Sequence, residues 1–358
     1  MKKTFTTIFT AFSLIAAFAL SSCSDVIFDE IRKEVKLDDP QISGDIKSIV
    51  RFTYNDGKLN EDGTEASPEK LFVCNGKIYY KTADADKCDW TRVENAPSNA
   101  YAIAADSEYL YAVALPFAKD GDGYNVPVGR YLYCYSDNEW KKIKEFENTS
   151  TKSVLFCTNS VNKANRKAYF RFGTEVFELK GTEEPQTVSE GSVNVLNDQK
   201  LTDARNAVWF NGSVYLTSAD AIATDATESE YIYYGSQNSV YYSTDAATWT
   251  SKKFDCSSIK TIAYTTDYLI LGTSDGIEHV SLDNNVPDAL SSWSNNAQSA
   301  LSSYYLIQCV LVVDPSKAES QTNIYASIDF SGRTGSVTPE NVGLWSCYPL
   351  VKNQWNRE

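Results

Sequence analysis

Residues 259–294, IKTIAYTTDYLILGTSDGIEHVSLDNNVPDALSSWS, contain the clearest repeating unit of this 358-residue chain. Runs rich in β-branched and aromatic residues, IKTIAY, YLILGTS and GIEHVSL, are separated by turns that contain Asp or Gly, and SSWS follows after a loop. Short runs of this composition between turn residues are typical of β-strands. The unit therefore predicts four successive strands.

The same four-strand order recurs along the chain, with a period of roughly 35–60 residues. Five further copies span residues 48–93, 101–147, 153–191, 206–254 and 304–358. Six units predict an all-β fold, a β-propeller of six four-stranded blades over residues 46–358. Counts of five or seven stay open, because the last copy ends three residues after Trp355.

Two local features strengthen the repeat. A tight turn lies between the second and third strands, at Asn75-Gly76, Gly173-Thr174, Gly235-Ser236 and Asp275-Gly276. Such residues supply the backbone angles that short hairpins need. A tryptophan recurs near the start of the fourth strand, as Trp90, Trp140, Trp249, Trp293 and Trp355.

The third strand of several copies ends in a Ser/Thr-x-Asp pattern ahead of that tryptophan. The stretch Ser243-Thr244-Asp245-Ala246-Ala247-Thr248-Trp249 resembles the Asp-box of sialidase-like β-propellers, with Ala247 in place of the usual Gly. The resemblance implies a structural role, in which Ser and Asp hydrogen-bond the turn and Trp packs beneath it. Weaker matches with the same implied role are Ser281, Asp283 and Trp293, together with Trp90 and Trp140.

The amino-terminal residues predict export. Lys2 and Lys3 precede an apolar stretch over residues 4–20, and Leu20-Ser21-Ser22-Cys23 follows. This pattern resembles the lipobox of bacterial lipoproteins, which implies cleavage after Ser22 and lipidation of Cys23. Residues 1–22 are then a signal peptide, and residues 23–45 a lipidated tether with a short helix ahead of the propeller. An ordinary secretory signal or an uncleaved anchor are the alternatives.

The composition excludes several kinds of chemistry. His279 is the one histidine of the chain, so a multi-histidine metal centre cannot form. The formal net charge of −14 argues against a nucleic-acid partner. Seven cysteines follow Cys23 without a metal or redox spacing, which favours buried thiols, with a Cys74–Cys88 disulfide as the alternative. We expect no metal and no cofactor.

The function predicted from these patterns is binding, without catalysis. The chain is expected to be anchored to the cell membrane or the outer membrane by lipid and to bind a protein or glycan partner. The sequence does not decide between the periplasmic side and the cell surface. The loops 117–129 and 331–341 are predicted to frame the ligand face, with Tyr124 and Arg333 as contacts. The alternatives are a sialidase-like glycoside hydrolase and an outer-membrane assembly factor. No Arg-Ile-Pro signature precedes the first Asp-box, so the sialidase site residues cannot be transferred.

Overall fold

The computed structural model describes residues 40–54, 69–83, 89–147, 150–292, 301, 305–329, 342–349 and 355–358. Several predictions lie outside these residues. They are the signal peptide, cleavage after Ser22, lipidation of Cys23, the helix of the tether, and the roles of Trp293 and Arg333.

The described strands form seven blades, numbered here in chain order. Blade 1 contains β1 (Ile49–Thr53), β2 (Glu69–Cys74), β3 (Ile78–Thr82) and β4 (Thr91–Arg92). Blade 2 contains β5 (Ala100–Ala105), β6 (Leu110–Ala114), β9 (Arg130–Ser136) and β10 (Glu139–Phe146). Between β6 and β9 lies a separate hairpin of β7 (Phe117–Lys119) and β8 (Asn125–Pro127). Blade 3 contains β11 (Ser153–Cys157), β12 (Ala168–Phe172), β13 (Glu175–Leu179) and β14 (Gln186–Thr187).

The remaining blades complete the ring. Blade 4 contains β15 (Asn194–Val195), β16 (Asn206–Phe210) and β17 (Ser213–Thr217). Blade 5 contains β18 (Ala221–Thr224), β19 (Ile232–Ser236), β20 (Ser239–Ser243) and β21 (Thr250–Lys253). Blade 6 contains β22 (Ile259–Tyr264), β23 (Tyr268–Thr273), β24 (Gly276–Asp283) and β25 (Val286–Ser292). Blade 7 contains β26 (Leu306–Val312), β27 (Ile324–Asp329), β28 (Gly343–Cys347) and β29 (Trp355–Arg357). Short 3₁₀ turns occur at Lys163–Asn165, Leu196–Asp198, Leu201–Asp203 and Glu319–Gln321.

The inner strands form a closed ring around the propeller axis. These strands are β1, β5, β11, β16, β18, β22 and β26, and each contacts the next, with β26 returning to β1. Inside each four-stranded blade the neighbouring strands pair antiparallel. The prediction of an all-β propeller with four-stranded blades is confirmed.

The predicted number of six blades is wrong, because the copy assigned to residues 206–254 is two blades. Blade 4 is a hairpin of β16 and β17 completed by β15, which comes earlier in the chain and pairs parallel to β17. This blade has three strands, so it breaks the four-strand period. Blade 5 then starts at β18, inside the polar stretch that the repeat pattern treats as an insertion. β18 has four residues, too few to stand out as a strand by composition.

Glycines allow neighbouring blades to approach closely. A Cβ at Gly272 in β23 would lie 2.4 Å from Cγ2 of Thr261 and 2.7 Å from Cγ2 of Ile307, on the next blade. A Cβ at Gly235 in β19 would lie 2.6 Å from Cγ2 of Ile259, again on the following blade. Any larger residue would push the blades apart, because packed interiors leave no room for an added methyl group.

The ring closes between blades 7 and 1 with the help of residues just before β1. Ile42 is fully buried; its N–H donates to the carbonyl of Glu358 at 2.8 Å, and its carbonyl accepts from the N–H of Leu344 at 3.2 Å. The Glu358 side chain accepts hydrogen bonds from Lys81 Nζ at 2.9 Å and from Trp90 Nε1 at 2.7 Å. Residues 40–45 are the described part of the predicted tether, and they contact the propeller through Ile42.

Candidate binding site in the central channel

A cavity of about 1,020 Å³ lies on the propeller axis. Residues from the inner strands of all seven blades line it. A concave site of this size is in the range of small-molecule and oligosaccharide sites. The axial cavity is therefore the candidate binding site, and we call it the cup.

The two ends of the cup differ. Every inner strand begins on the face that carries the turns between second and third strands. Gly76, in such a turn, donates its N–H to the carbonyl of Ala100 at the start of β5, at 2.9 Å. The N–H of Ile259, the first residue of β22, likewise donates to the carbonyl of Gln237 in the corresponding turn of blade 5, at 2.6 Å. We call this face the mouth face and the opposite end of the cup the floor.

The loop between β11 and β12, residues 158–166, fills the floor end. The Asn159 side chain pairs with the inner edge of β1, donating to the carbonyl of Ile49 at 3.0 Å and accepting from the N–H of Arg51 at 3.1 Å. On the other side the loop reaches blade 5, because Glu228 accepts from the Ser160 hydroxyl and from the Val161 N–H at 3.1 Å. This floor loop thus links blade 3 to blades 1 and 5 across the axis.

Buried ion pairs fasten the floor loop. The Arg51 Nη1 donates to Glu69 at 3.0 Å, and Arg166, in the floor loop, pairs with the other oxygen of the same carboxylate. Arg51 Nη2 also donates to the carbonyls of Val312 and Val313 on blade 7, at 2.5 and 2.7 Å. Burial lowers the pKa of the Arg51 guanidinium, and Glu69 opposes that shift. Arg51 and Arg166 thus share the Glu69 carboxylate, which joins the floor loop to blade 1, and Arg51 joins blade 1 to blade 7.

The mouth end of the cup is lined by cationic side chains. They come from blades 1, 2, 3, 4 and 6: Lys47, Arg130, Lys152, Arg171, Arg205 and Lys260. Among the described lining residues one carboxylate accompanies them at this end, that of Asp220, which lies 3.2 Å from Nη1 of Arg205. The sequence did not single out these residues as a group.

Arg171 and Arg205 are the closest-coupled cations of the mouth. Burial lowers the pKa of Arg171 and the positive charge of Arg205 lowers it further, whereas the negative charge of Asp203 opposes these shifts. Nη1 of Arg171 donates to the carbonyl of Thr202 at 3.0 Å. Its Nε is buried and has no hydrogen-bond partner among the described residues. The mouth therefore holds two interacting guanidinium groups, one of which has an unused donor.

Uncharged polar and aromatic groups cover the wall between mouth and floor. Tyr101 donates to or accepts from the Ser153 hydroxyl at 2.7 Å. The Oε1 of Gln308 is buried and accepts no hydrogen bond from the part of the chain that the structure describes. Ser48, Asn206, Trp209 and Thr261 also line the wall, whereas the Tyr264 ring is buried against Tyr233 and its hydroxyl donates to Asn285.

The carboxylates that line the cup have structural partners. Asp225 Oδ1 accepts from the N–H groups of Glu230 and Tyr231, at 3.0 and 2.8 Å. Glu228 holds the floor loop, and Asp220 pairs with Arg205. The described residues contain no group of three or more His, Cys, Asp and Glu side chains that could hold a metal ion.

Of the two predicted ligand-rim residues, Tyr124 is described by the structure and Arg333 lies outside the described residues. Tyr124 is 71% exposed near the turn of the β7–β8 hairpin, between a second and a third strand, and does not line the cup. Asp120 in the same turn accepts from the N–H groups of Asp122 and Tyr124, at 3.0 and 2.9 Å. The Asp120 carboxylate therefore stabilises the turn. Phe117 and Val128 beside it are also exposed, so the hairpin presents apolar side chains.

The Asp-box-like stretch forms the turn between β20 and β21. The Asp245 carboxylate accepts from the N–H groups of Ala247 and Thr248, at 2.8 and 2.7 Å, and from the Ser243 hydroxyl at 2.9 Å. These hydrogen bonds lower the pKa of Asp245 to about 2. The Trp249 ring packs edge-on against Tyr234, with the centroids 4.9 Å apart.

The other motif residues are used differently. The Ser281 hydroxyl accepts from the N–H of Ala289 across the β24–β25 pair, at 3.0 Å, and Asp283 accepts from the Asn284 side chain. Trp140 packs against Tyr135 in its own blade, at 5.3 Å between ring centroids. Trp90 packs against Tyr325 of blade 7, so it belongs to the closure of the ring. None of these side chains lines the cup.

The histidine and the described cysteines have packing roles. His279 stacks on Tyr268 at 4.5 Å between ring centroids, and its Nδ1 lies 3.2 Å from Glu319 Oε2. The six cysteines that the structure describes are free thiols: Cys74, Cys134, Cys157, Cys256, Cys309 and Cys347. Burial raises the pKa of the Cys74 thiol to about 12, so this sulfur is inert near neutral pH.

A repeat-based signal for the mouth cations exists in the sequence. Lys47, Lys152 and Arg205 each precede the inner strand of their blade by one or two residues, and Lys260 is the second residue of its inner strand. Aligning the repeats on the first strand would have shown this recurring cation. The turns and tryptophans that define the repeat carry no information about this position.

No protein-family model matches the chain, and a search of curated proteins finds no match. Similar solved structures include the extracellular domain of the hybrid two component system BT4673 from B. thetaiotaomicron, with 13% identity and a TM-score of 0.48. That match covers 85% of this chain and 40% of the other, so this chain spans less than half of that protein's length.

Two further matches have lower TM-scores. The PQQ-bound aldose sugar dehydrogenase from Streptomyces coelicolor gives 11% identity and a TM-score of 0.41, over 84% of this chain and 98% of that one. Saccharomyces cerevisiae Sqt1 gives 8% identity and a TM-score of 0.42, over 80% and 82%. The BT4673 domain and the dehydrogenase are β-propeller proteins of different function. Within the described residues no helix is long and apolar enough to cross a bilayer.

Proposed function

We propose that the chain is a lipid-anchored protein of the bacterial cell envelope whose propeller is a non-catalytic binding module. The ligand, a protein segment or a glycan, enters the cup from the mouth face. The observation that carries the proposal is the cup itself, which seven inner strands surround and the floor loop fills at one end. A rigid concave site of this kind binds without rearranging, which lowers the entropic cost of association.

The hydrogen bonds of the lining carboxylates support a non-catalytic role. A glycoside hydrolase of the usual kind needs two carboxyl groups, one as acid and one as base or nucleophile. Asp225 and Glu228 are engaged by backbone and side-chain donors of their own loops, and Asp220 neutralises part of the charge of Arg205. These partners hold the carboxylates in structural positions, so we favour binding over the sialidase-like alternative.

The amino-terminal sequence supports the membrane anchor. The basic residues Lys2 and Lys3, the apolar stretch 4–20 and Cys23 form the export and lipidation pattern described above. Several acyl chains, at about 0.8 kcal/mol for each buried methylene group, would hold the protein on a membrane permanently. We propose the cell membrane or the outer membrane as the location.

Labelling tests the anchor. Cells fed a radioactive or clickable palmitate analogue should label the wild-type protein and not the Cys23→Ala variant, which should stay at the size of the precursor. Equal labelling of both proteins, or no labelling of either, would remove the lipid from the proposal. Protease treatment of intact cells would show which side of the membrane carries the propeller.

A blocked cup tests the binding role. Photocrosslinking in intact cells should recover a partner with the wild-type protein and lose it with Ser48→Trp, because Ser48 is a half-buried residue of the cup lining. Ser251→Trp, on an exposed position of β21, is the matched control. Equal recovery with both variants would place the binding site outside the cup.

One observation favours the second candidate, an assembly factor that contacts other envelope proteins. The β7–β8 hairpin exposes Phe117, Tyr124 and Val128, at 47%, 71% and 43% of their surface. Contiguous exposed apolar side chains mark protein-contact sites more often than chance exposure does. On this proposal a protein partner would contact the hairpin in addition to the cup.

A further inference from the structure

The charge at the mouth of the cup is opposite to the charge of the whole protein. The chain carries a formal net charge of −14, whereas six cations and one carboxylate line the mouth end of the cup. At physiological salt a charge is screened over about 8 Å, so a ligand in the mouth experiences the local cations much more than the distant acidic surface. A cleft lined by one sign of charge also concentrates ions of the opposite sign.

We propose that the mouth of the cup binds an acidic saccharide, a sugar chain that carries several carboxylate or sulfate groups. This inference rests on the proposed binding role of the cup and names the class of its ligand. Arg171 and Arg205 are its principal contacts, and Lys47, Lys152 and Lys260 supply further charge around the opening.

The first argument is the arrangement of the two arginines. Arg171 and Arg205 come from adjacent blades and are near enough for their charges to repel, while Asp220 contacts Arg205 alone of the two. Guanidinium groups present paired N–H donors that match the two oxygens of a carboxylate or sulfate. An anion between the two arginines would relieve the repulsion. It would also accept a hydrogen bond from the buried Nε–H of Arg171 or from the neighbouring N–H groups of the guanidinium.

The second argument is the spread of the cations. Lys47, Arg130, Lys152, Arg205 and Lys260 belong to five different blades, and each lies near the start of an inner or a third strand. The charges therefore surround the opening. A ligand with one anionic group would use one part of this ring. A ligand with anionic groups on successive sugar units would use several parts together.

The third argument is the chemistry of the wall, which separates a saccharide from an acidic peptide. Below the cations the Oε1 of Gln308 is buried without a donor among the described residues, and Trp209 is a partly exposed aromatic residue of the lining. The side chains of Ser48, Asn206 and Thr261 already hydrogen-bond to backbone groups of the protein. A saccharide can donate a hydroxyl to Gln308 and place an apolar ring face on Trp209, since buried polar groups need partners and aromatic faces need contact area.

Calorimetry on the full chain in detergent tests the inference with three probes: tetragalacturonate, its fully methyl-esterified form, and a sulfated carrageenan tetrasaccharide. The ester keeps the sugar and removes the charge. We expect at least one anionic probe to bind about tenfold or more tightly than the ester. The carboxylated and sulfated probes show which anionic group is preferred. Raising the salt concentration should weaken that binding and leave the ester unaffected.

Charge-neutral variants locate the contact. Arg171→Gln with Arg205→Gln should lower the affinity for the anionic probe by about tenfold or more. Lys47→Gln with Lys152→Gln, two exposed lysines of the mouth, should lower it by a smaller factor and serves if the arginine pair is needed for folding. Arg92→Gln with Lys253→Gln removes the same charge from outer strands and should leave the affinity unchanged.

Several results would overturn the inference. Equal binding of the ester and the anionic probes would leave the cup as a binding site and remove the anionic preference. Tighter binding of an oligoglutamate peptide would assign the mouth to acidic protein segments. Failure of every saccharide to bind would also refute the inference, and the crosslinking test with Ser48→Trp would then decide the proposed function by itself.

Discussion

Glu358→Gln should destabilise the propeller at the junction of its first and last blades. The Glu358 carboxylate is buried and accepts from Lys81 Nζ at 2.9 Å and Trp90 Nε1 at 2.7 Å, and also from Ser346 and Tyr348. The Lys81 ammonium has a fully buried side chain and lies 5.2–5.4 Å from the centroids of three aromatic rings. Removing the carboxylate charge leaves this ammonium without its anion.

The expected loss is about 3–5 kcal/mol of unfolding free energy, the usual cost of leaving one member of a buried pair uncompensated. The aromatic rings reduce this cost by roughly 1–2 kcal/mol, because a desolvated cation is attracted to ring faces. We therefore expect a net loss of about 1–4 kcal/mol. Adding Lys81→Met to Glu358→Gln should recover part of it, since the double variant leaves no uncompensated buried charge.

Urea unfolding followed by tryptophan fluorescence measures these changes as shifts of the midpoint at constant slope. The double-mutant cycle then isolates the coupling between Lys81 and Glu358. Lys252→Met is the matched control, because Lys252 forms an exposed pair with Asp288 at 3.2 Å and should contribute less than about 1 kcal/mol. A Glu358→Gln midpoint equal to that of the control variant would refute the argument that this pair closes the ring.

Three further predictions address other parts of the fold. The native pKa of Asp245 is depressed to about 2, below the ordinary value of about 3.9, so its contribution to the unfolding free energy is present above pH 4 and is lost as the pH falls through 2. The denaturant midpoint of Asp245→Asn should therefore approach that of the wild type at low pH. A difference between the two midpoints that stays constant from pH 7 to 2 would contradict this. Gly272→Ala should cost about 1–3 kcal/mol because its Cβ meets Thr261, whereas Gly121→Ala, with open space around it, should be neutral; equal melting temperatures would disprove the steric account. Tyr124→Ser should reduce crosslinking to a protein partner without lowering the melting temperature, and unchanged crosslinking would exclude a contact at this position.

The blade count shows where repeat analysis loses its power. Four-strand units with regular turns were recognised because each unit contains its own turns and outer-strand residues. Blade 4 lacks such a unit, since its third strand, Asn194–Val195, comes before the inner strand in the chain and pairs parallel with β17. Two residues of ordinary composition carry no periodic signal. The pairing of β15 depends on tertiary packing rather than on local preference.

The candidate site shows the same limit. Tyr124 was predicted from loop length, and the structure places it on a turn between second and third strands but outside the cup. Arg171 and Arg205 became a pair only when two blades were placed side by side. The floor loop could not be anticipated, because its partners Ile49 and Glu228 are far from Asn159 and Ser160 in the chain.

The sequence by itself determined the all-β class and the four-stranded repeat, because both depend on neighbouring residues and on short alternating patterns of apolar and turn residues. The tertiary structure decided the number of blades, the closure through Lys81 and Glu358, and the cup with its cationic mouth and filled floor. Those features join groups as far apart as Arg51 and Val312, which are separated by 261 positions. Contacts at that separation depend on how the blades pack around the axis, and a local sequence pattern does not predict them.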